Sequence, residues 1–307
     1  MKRNYVNELM KQNTPLNSNH LKLIAILAMT IDHATDLFYP GFPAEPVPLI
    51  LHFIGRLTAP IMWFFICEGY HYTKDVKKYM LRLGGFALIS HFAYCFSFGI
   101  SLNPFEGSIF NRTSVMYPLF IAVVVQYLED HVLNAPDNAS AGILKEKTSV
   151  TESPVTYHSE EGSESHSERS ESQDPPDHKQ NNRKWPPLLI RLLQFFLVIS
   201  AFPADWSCIA VLAILEMYKH RGNLERQMLA IIKWTSLYGL VSFFFVSKVY
   251  AIELIGVLMV YPVLKLYNGE RGKAKWLKWF FYLYYPAHLI AIGIIRIMVY
   301  GNVNLTV

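Results

Sequence analysis

Five ionisable side chains interrupt the apolar runs of this 307-residue chain: Asp32 and His33 in AMTIDHATD, Arg56 in FIGRLTAP, His91 in LISHFAY and His288 in YYPAHLI. Charged groups are costly in hydrocarbon, so such residues face a protein interior or a wet cavity and mark a site of function by default. A histidine titrates near neutral pH and can take or give a proton. An aspartate can orient or neutralise a cation. A buried arginine can hold an anion far more strongly than it would in water. Together these types can support proton transfer beside a developing negative charge.

The spacing gives the five a common depth. His33, His91 and His288 each lie about twelve residues from the inner end of their runs (Leu21, Tyr79 and Trp276), roughly 18 Å at about 1.5 Å per helical residue. Arg56 enters its run from the opposite side, about seven residues below Leu49. That places it near 20 Å on the same scale, in a hydrocarbon core about 30 Å thick. Neighbours on a helix point about 100° apart, so Asp32 and His33 cannot address one partner but can line one cavity. Asp32 can pair with Arg56, leaving His33 or His288 as a general base. Pro286, two residues before His288, removes a backbone donor and is expected to kink its helix.

These residues need elements that hold them. The chain is 52% hydrophobic and 17% charged, with mean hydropathy +0.20, below the charge content of soluble domains. Nine apolar runs are expected to span a membrane as helices: 21–39, 49–70, 79–98, 115–133, 187–202, 206–218, 229–246, 250–267 and 276–299. The fifth and sixth are short and fit a tilted or re-entrant pair. Residues 1–20 form an N-terminal segment and 300–307 a tail. Residues 134–186, rich in Ser, Glu, Pro and His, lack the aliphatic content for a core and read as a disordered linker. With the N-terminus inside and the C-terminus outside, all but four of the 28 lysines and arginines fall on the inner side; the four are Arg56, Arg112, Lys248 and Arg296. The fold class is an all-α polytopic membrane protein.

Other polar marks lie nearer the faces. Glu68 and Glu216 sit near the inner surface, and Asp205 and Glu253 near the outer, where each can cap a helix or reach the interface. The basic stretches TKDVKKYMLR and NGERGKAKWLK read as anchors on anionic lipid, or as groups for a phosphate-bearing ligand. The net charge of +4 gives no case for nucleic acid. Cys67, Cys95 and Cys208 show neither a disulfide framework nor metal spacing, so no metal is expected. No phosphate-binding glycine loop, dinucleotide fingerprint or serine nucleophile elbow is present.

The segments LKLIAILAMTIDH, FIGRLTAPIMWFFICEGYHYTKDVKKYMLRLGGFALISH, PADWSCIAVLAIL, YNGERG and FFYLYYPAHLIAI resemble the TraX family of bacterial membrane proteins, over about 20–130 and 187–295. The specific positions are Ile31-Asp32-His33, Gly55-Arg56, Glu68-Gly69, Asn268-Gly269, Arg271-Gly272, Tyr285-Pro286 and His288. The Ser/Glu-rich insertion departs from the pattern, as does SVMYPLF, where a more Thr- and Gly-rich segment is expected. The resemblance implies acyl transfer in the bacterial cytoplasmic membrane. Acetyl-CoA would donate from the cytoplasm to an amine or hydroxyl of an extracytoplasmic peptide or glycan. His33, His288, Asp32 and Arg56 would form the catalytic set, with Arg56 stabilising the oxyanion. Lys77, Lys78, Arg82 and Arg271 would hold the phosphates; Glu68, Asp205 and Tyr285 would contact substrate. Two other classes fit the same residues: a proton-coupled transporter, for which no half-to-half repeat is visible, and a scaffold working through its linker.

Overall fold

A computed structural model describes residues 14–41, 43–103, 112–133, 186–274 and 276–301. Each expected apolar run is helical. The elements are α1 (Ser18–Phe38), α2 (Pro46–Gly55), α3 (Thr58–Tyr72), α4 (Val76–Phe98), α5 (Met116–Leu128) with a π turn over Glu129–Leu133, α6 (Pro187–Ser200), α7 (Ser207–Lys219), α8 (Leu224–Phe245), α9 (Lys248–Glu253), a 3-10 turn (Leu254–Met259), α10 (Val260–Lys265) and α11 (Leu277–Tyr300). The described residues contain no strand beyond two isolated bridges. The expected linker lies outside them except for Pro186.

Local chemistry sets the helix ends. Asn17 caps α1 by accepting from the backbone N–H groups of Asn19 and His20, and His20 Nδ1 accepts from the Asn17 N–H. Asp75 accepts from the Lys78 N–H and starts α4; Gly99, at φ 71°, ends it in the left-handed conformation. Two expected spans are broken, and a proline explains each. Pro60 has no N–H for the Arg56 carbonyl, so the second run divides at Arg56–Leu57 into α2 and α3. Pro262 likewise denies a donor to Leu258, and the eighth run tightens into the 3-10 turn between α9 and α10. By contrast, α11 runs through Pro286 as one helix.

Among the described residues, four stretches are long and apolar enough to cross a membrane: Pro46–Tyr72, Val76–Phe98, Leu224–Phe245 and Trp279–Tyr300. The chain is a helical membrane protein. Large apolar side chains such as Leu192, Phe196, Leu229, Phe244, Leu283 and Met298 point outward, as lipid-facing positions do. Where lipid is the solvent, helices associate by close packing rather than by expelling water. Trp63, Ile61, Leu83, Leu119 and Ile231 are fully enclosed. Gly256 lets the 3-10 turn lie against the backbone of Phe53, 2.7 Å from where a Cβ would stand. α1 packs on α2, α3 and α11, and α11 on α4, so these helices enclose a shared interior.

Candidate active site

α1 sends adjacent residues to two different neighbours. Asp32 faces α2, where Gly55 leaves room for its carboxylate; a Cβ there would collide with it. Asp32 Oδ1 lies 2.9 Å from His52 Nδ1, and Oδ2 accepts from Arg56 Nη1 at 3.4 Å. Arg56 Nη2 donates to Glu253 Oε2 at 2.9 Å, and the guanidinium stacks over Tyr250, 4.9 Å from its ring centre. His52, Arg56 and Glu253 are all buried, Glu253 completely. The broken helices make this possible: the α2–α3 junction carries Arg56, and the α9 end carries Glu253.

His33 turns the other way, to α11. Its Nδ1 is 2.8 Å from His288 Nε2, with the rings within 6° of parallel. His288 Nδ1 donates to the Tyr284 carbonyl at 3.0 Å. That carbonyl can only accept, so in neutral His288 the hydrogen is on Nδ1 and Nε2 is an acceptor. His33 Nδ1 must then donate to it. His33 is left with a bare Nε2, which has no hydrogen-bond partner among the described residues.

That ring lines a cavity of about 800 Å³. At its buried end are Asp32, His33, Thr58, Asp205, Trp206 and Tyr285; toward the inner ends of the helices are Lys22, Lys74, Arg82, Arg271, Tyr72 and Tyr267. Lys22 and His33 are eleven positions apart on α1, roughly 16 Å at about 1.5 Å per residue. The mouth is built by strapping the segment after α10 onto the start of α1. Leu16 and Tyr267 form a bridge, the Ser18 N–H donates to the Glu270 carbonyl at 3.0 Å, and Gly272 abuts Asn19 too closely to carry a Cβ. Glu68 lines the cavity while accepting two bonds from Arg221, at 2.9 and 3.1 Å. Burial lowers the Arg221 pKa, but Glu68 more than offsets it and holds the guanidinium above its ordinary value.

At the buried end, the Asp205 N–H donates to the Thr113 carbonyl at 2.9 Å, fixing the turn before α7 against the start of α5. Trp206 and Ser207 both have positive φ, 63° and 50°, a costly conformation for residues with side chains that clusters at functional sites. Trp206 meets Trp63 edge-on at 5.3 Å. The Tyr285 hydroxyl is buried at the lining of the cavity, beside the Ser114 side chain and the Val115 backbone.

The sequence-expected residues are therefore divided. Asp32, His33, Arg56 and His288 come together. His91 does not: its Nδ1 is 3.0 Å from Thr113 Oγ1, beside a separate cavity of about 450 Å³. Arg82, Arg271, Glu68, Asp205 and Tyr285 line the main cavity, whereas Lys77 and Lys78 do not. Both are exposed, and Lys78 pairs with Asp75 at 3.3 Å. Tyr79, Arg82 and Leu83 form the inward arc of α4, and the two lysines precede that arc by one and two positions. Lys22 and Lys74 line the cavity instead. Arg56 stands outside the lining, engaged by Asp32 and Glu253. Glu253, expected to cap or reach an interface, is instead a buried ion-pair partner. His52 was missed within an apolar run. The signal for it was present: Asp32/Asp36 and His52/Arg56 are both i, i+4 pairs, each on one helix face.

A family profile described as TraX protein matches residues 17–136 and 178–296, more than half of the chain. A protein of Dichelobacter nodosus named probable fimbrial assembly protein FimC, serogroup H1, is 31% identical over 131 residues, 41% of this chain and 52% of that protein. The chain thus spans about half the length of this relative. No solved structure matches.

Proposed function

Because this chain belongs to the TraX family, we propose that it is an integral-membrane acyltransferase taking an acetyl group from cytoplasmic acetyl-CoA to an amine or hydroxyl acceptor on the outer side. The carrying observation is a histidine with a bare nitrogen at the blind end of a cavity whose mouth is cationic. The proposed topology has nine spans in the bacterial cytoplasmic membrane, N-terminus inside, which puts that mouth at the cytoplasm. The name of the Dichelobacter nodosus relative, a probable fimbrial assembly protein, makes a surface peptide one acceptor that fits; a glycan is another.

Phosphates of the donor would meet Lys22, Lys74, Arg82 and Arg271, and the pantetheine arm would run up the shaft. His33 Nε2 takes the proton from the attacking nitrogen or oxygen. His288 fixes the His33 tautomer, much as a third group orients the base in a triad. The Tyr285 hydroxyl would donate to the acetyl oxygen as it becomes negative, a role that suits a donor on the cavity lining better than Arg56, which stands outside it. Asp32 and Arg56 hold the α1–α2 seam that aims His33, and Asp205 and Glu68 shape the two ends. The acceptor bond to the acetyl carbon forms, the carbon–sulfur bond breaks, and the proton on His33 passes to the CoA thiolate.

The test is release of free CoA from labelled acetyl-CoA by the purified, reconstituted protein, with label recovered on an added peptide or glycan. Release above that of empty vesicles is expected. None, across amine and hydroxyl acceptors, would contradict the proposal.

A further inference from the structure

His52 is not needed for the chemistry above, yet it is nearly inaccessible and lies between two carboxylates. Its Nδ1 lies 2.9 Å from Asp32 Oδ1 and its Nε2 lies 3.7 Å from Asp36 Oδ1. Asp32 lines the cavity. Asp36 is one helical turn farther toward the outer end of α1, its side chain 31% exposed, against 1% for His52. An ionised carboxylate only accepts hydrogen bonds, while a neutral imidazole has one donor and one acceptor. A neutral ring can thus donate to one of the two aspartates at a time; Asp32 stands at hydrogen-bond distance and Asp36 at ion-pair distance. The groups acting on His52 are Asp32, Asp36 and His33 from α1 and Glu253 from α9, while Arg56, at the α2–α3 junction, acts on Asp32 and Glu253. Asp205, before α7, acts on Asp36.

We infer that Asp32, His52 and Asp36 form a proton path joining the buried end of the cavity to the outer side. His52 can receive a proton on Nδ1 from Asp32 and release the one on Nε2 to Asp36 once the 3.7 Å between them closes; the ring, left with its hydrogen on Nδ1, then turns to reset the path. This rests on the proposed acetyl transfer, whose balance shows what the path is for. An ammonium acceptor and acetyl-CoA give an amide, free CoA and one proton. Of the two protons lost by the nitrogen, His33 passes one to the thiolate; the other leaves through Asp32. A hydroxyl acceptor loses only one, so its transfer leaves no surplus and needs no path. His52 and Asp36 act through Asp32 and are positioning residues in this sense.

The test needs no acceptor in its first arm. Full-length protein in oriented proteoliposomes is given an outer pH step while the protonated-carboxyl infrared band is followed. Wild type should show a change that Asp32→Asn lacks. In His52→Gln that change should slow at least tenfold. Asp36→Asn, at a part-exposed position suited to a stable variant, should slow it likewise. An unchanged rate in a folded His52→Gln or in Asp36→Asn overturns the path. The second arm follows CoA release with triglycine as the ammonium probe at low buffer. Loss in both variants, restored by added imidazole, supports the path; loss that imidazole does not restore overturns it. If wild type shows the infrared response but transfers to no acceptor, the path stands and the acyltransferase reading fails.

Discussion

Two polar groups meet on adjacent positions of α1 and differ in one respect. Around Asp32, which itself lines the cavity, His52, Arg56 and Glu253 close a group of ion pairs behind the wall. Around His33 the hydrogen bonds run in one direction, from His33 to His288 to the Tyr284 carbonyl, and leave one nitrogen bare. The comparison teaches that sharing a layer does not give residues the same role. Hydrogen-bond inventory separates a group closed by ion pairs from a histidine that keeps one nitrogen bare toward the cavity.

The closed group should be the costlier to break. Arg56→Met leaves Asp32 and Glu253 as buried charges and should cost about 3–5 kcal/mol of stability, read from denaturant unfolding in detergent. Adding Glu253→Gln should recover part of that loss, and a pair no more stable than the single variant would deny the buried ion pair its role. In the open pair, His288→Ala should lower CoA release by about 10²-fold while the unfolding midpoint moves little. A large midpoint shift with an unchanged rate would exchange the roles of the two groups.

At the mouth the effects are smaller and fall on binding. Arg271→Ala or Arg82→Ala should raise KM for acetyl-CoA by about tenfold with kcat nearly constant, the loss of one charge-assisted contact. Lys77→Ala and Lys78→Ala should change neither. The smallest effect belongs to the α4 cap. The backbone N–H of Lys78 holds the Asp75 carboxyl below its ordinary value. Its contribution is present above the ordinary carboxylate range and is lost as pH falls through the lowered value. The difference in melting temperature between wild type and Asp75→Ala should therefore shrink on acidification; a difference that grows would reverse the assignment.

Apolar length and the positions of buried charge made the helices and four of the five layer residues legible in the sequence. The helix breaks were not, because Pro60 and Pro262 act on carbonyls four residues earlier, inside runs that hydropathy treats as continuous. The roles of His52 and Glu253 were hidden for a related reason: each lies four residues into an apolar run, and its ion-pair partner comes from another element. The choice of Lys22 and Lys74 over Lys77 and Lys78 depends on the direction of the first turn of α4 and on the strap that brings the 266–274 segment to α1. Composition carries no information about either.

The central claim is that His33 Nε2 is the reactive atom. His33→Asn places a donor near the position of Nδ1 and removes the ring's other nitrogen. The direct measurement is single-turnover CoA release by reconstituted His33→Asn beside wild type. The account predicts a loss of about 10²- to 10⁴-fold with an unchanged unfolding midpoint. Release at the wild-type rate by the folded variant would contradict it.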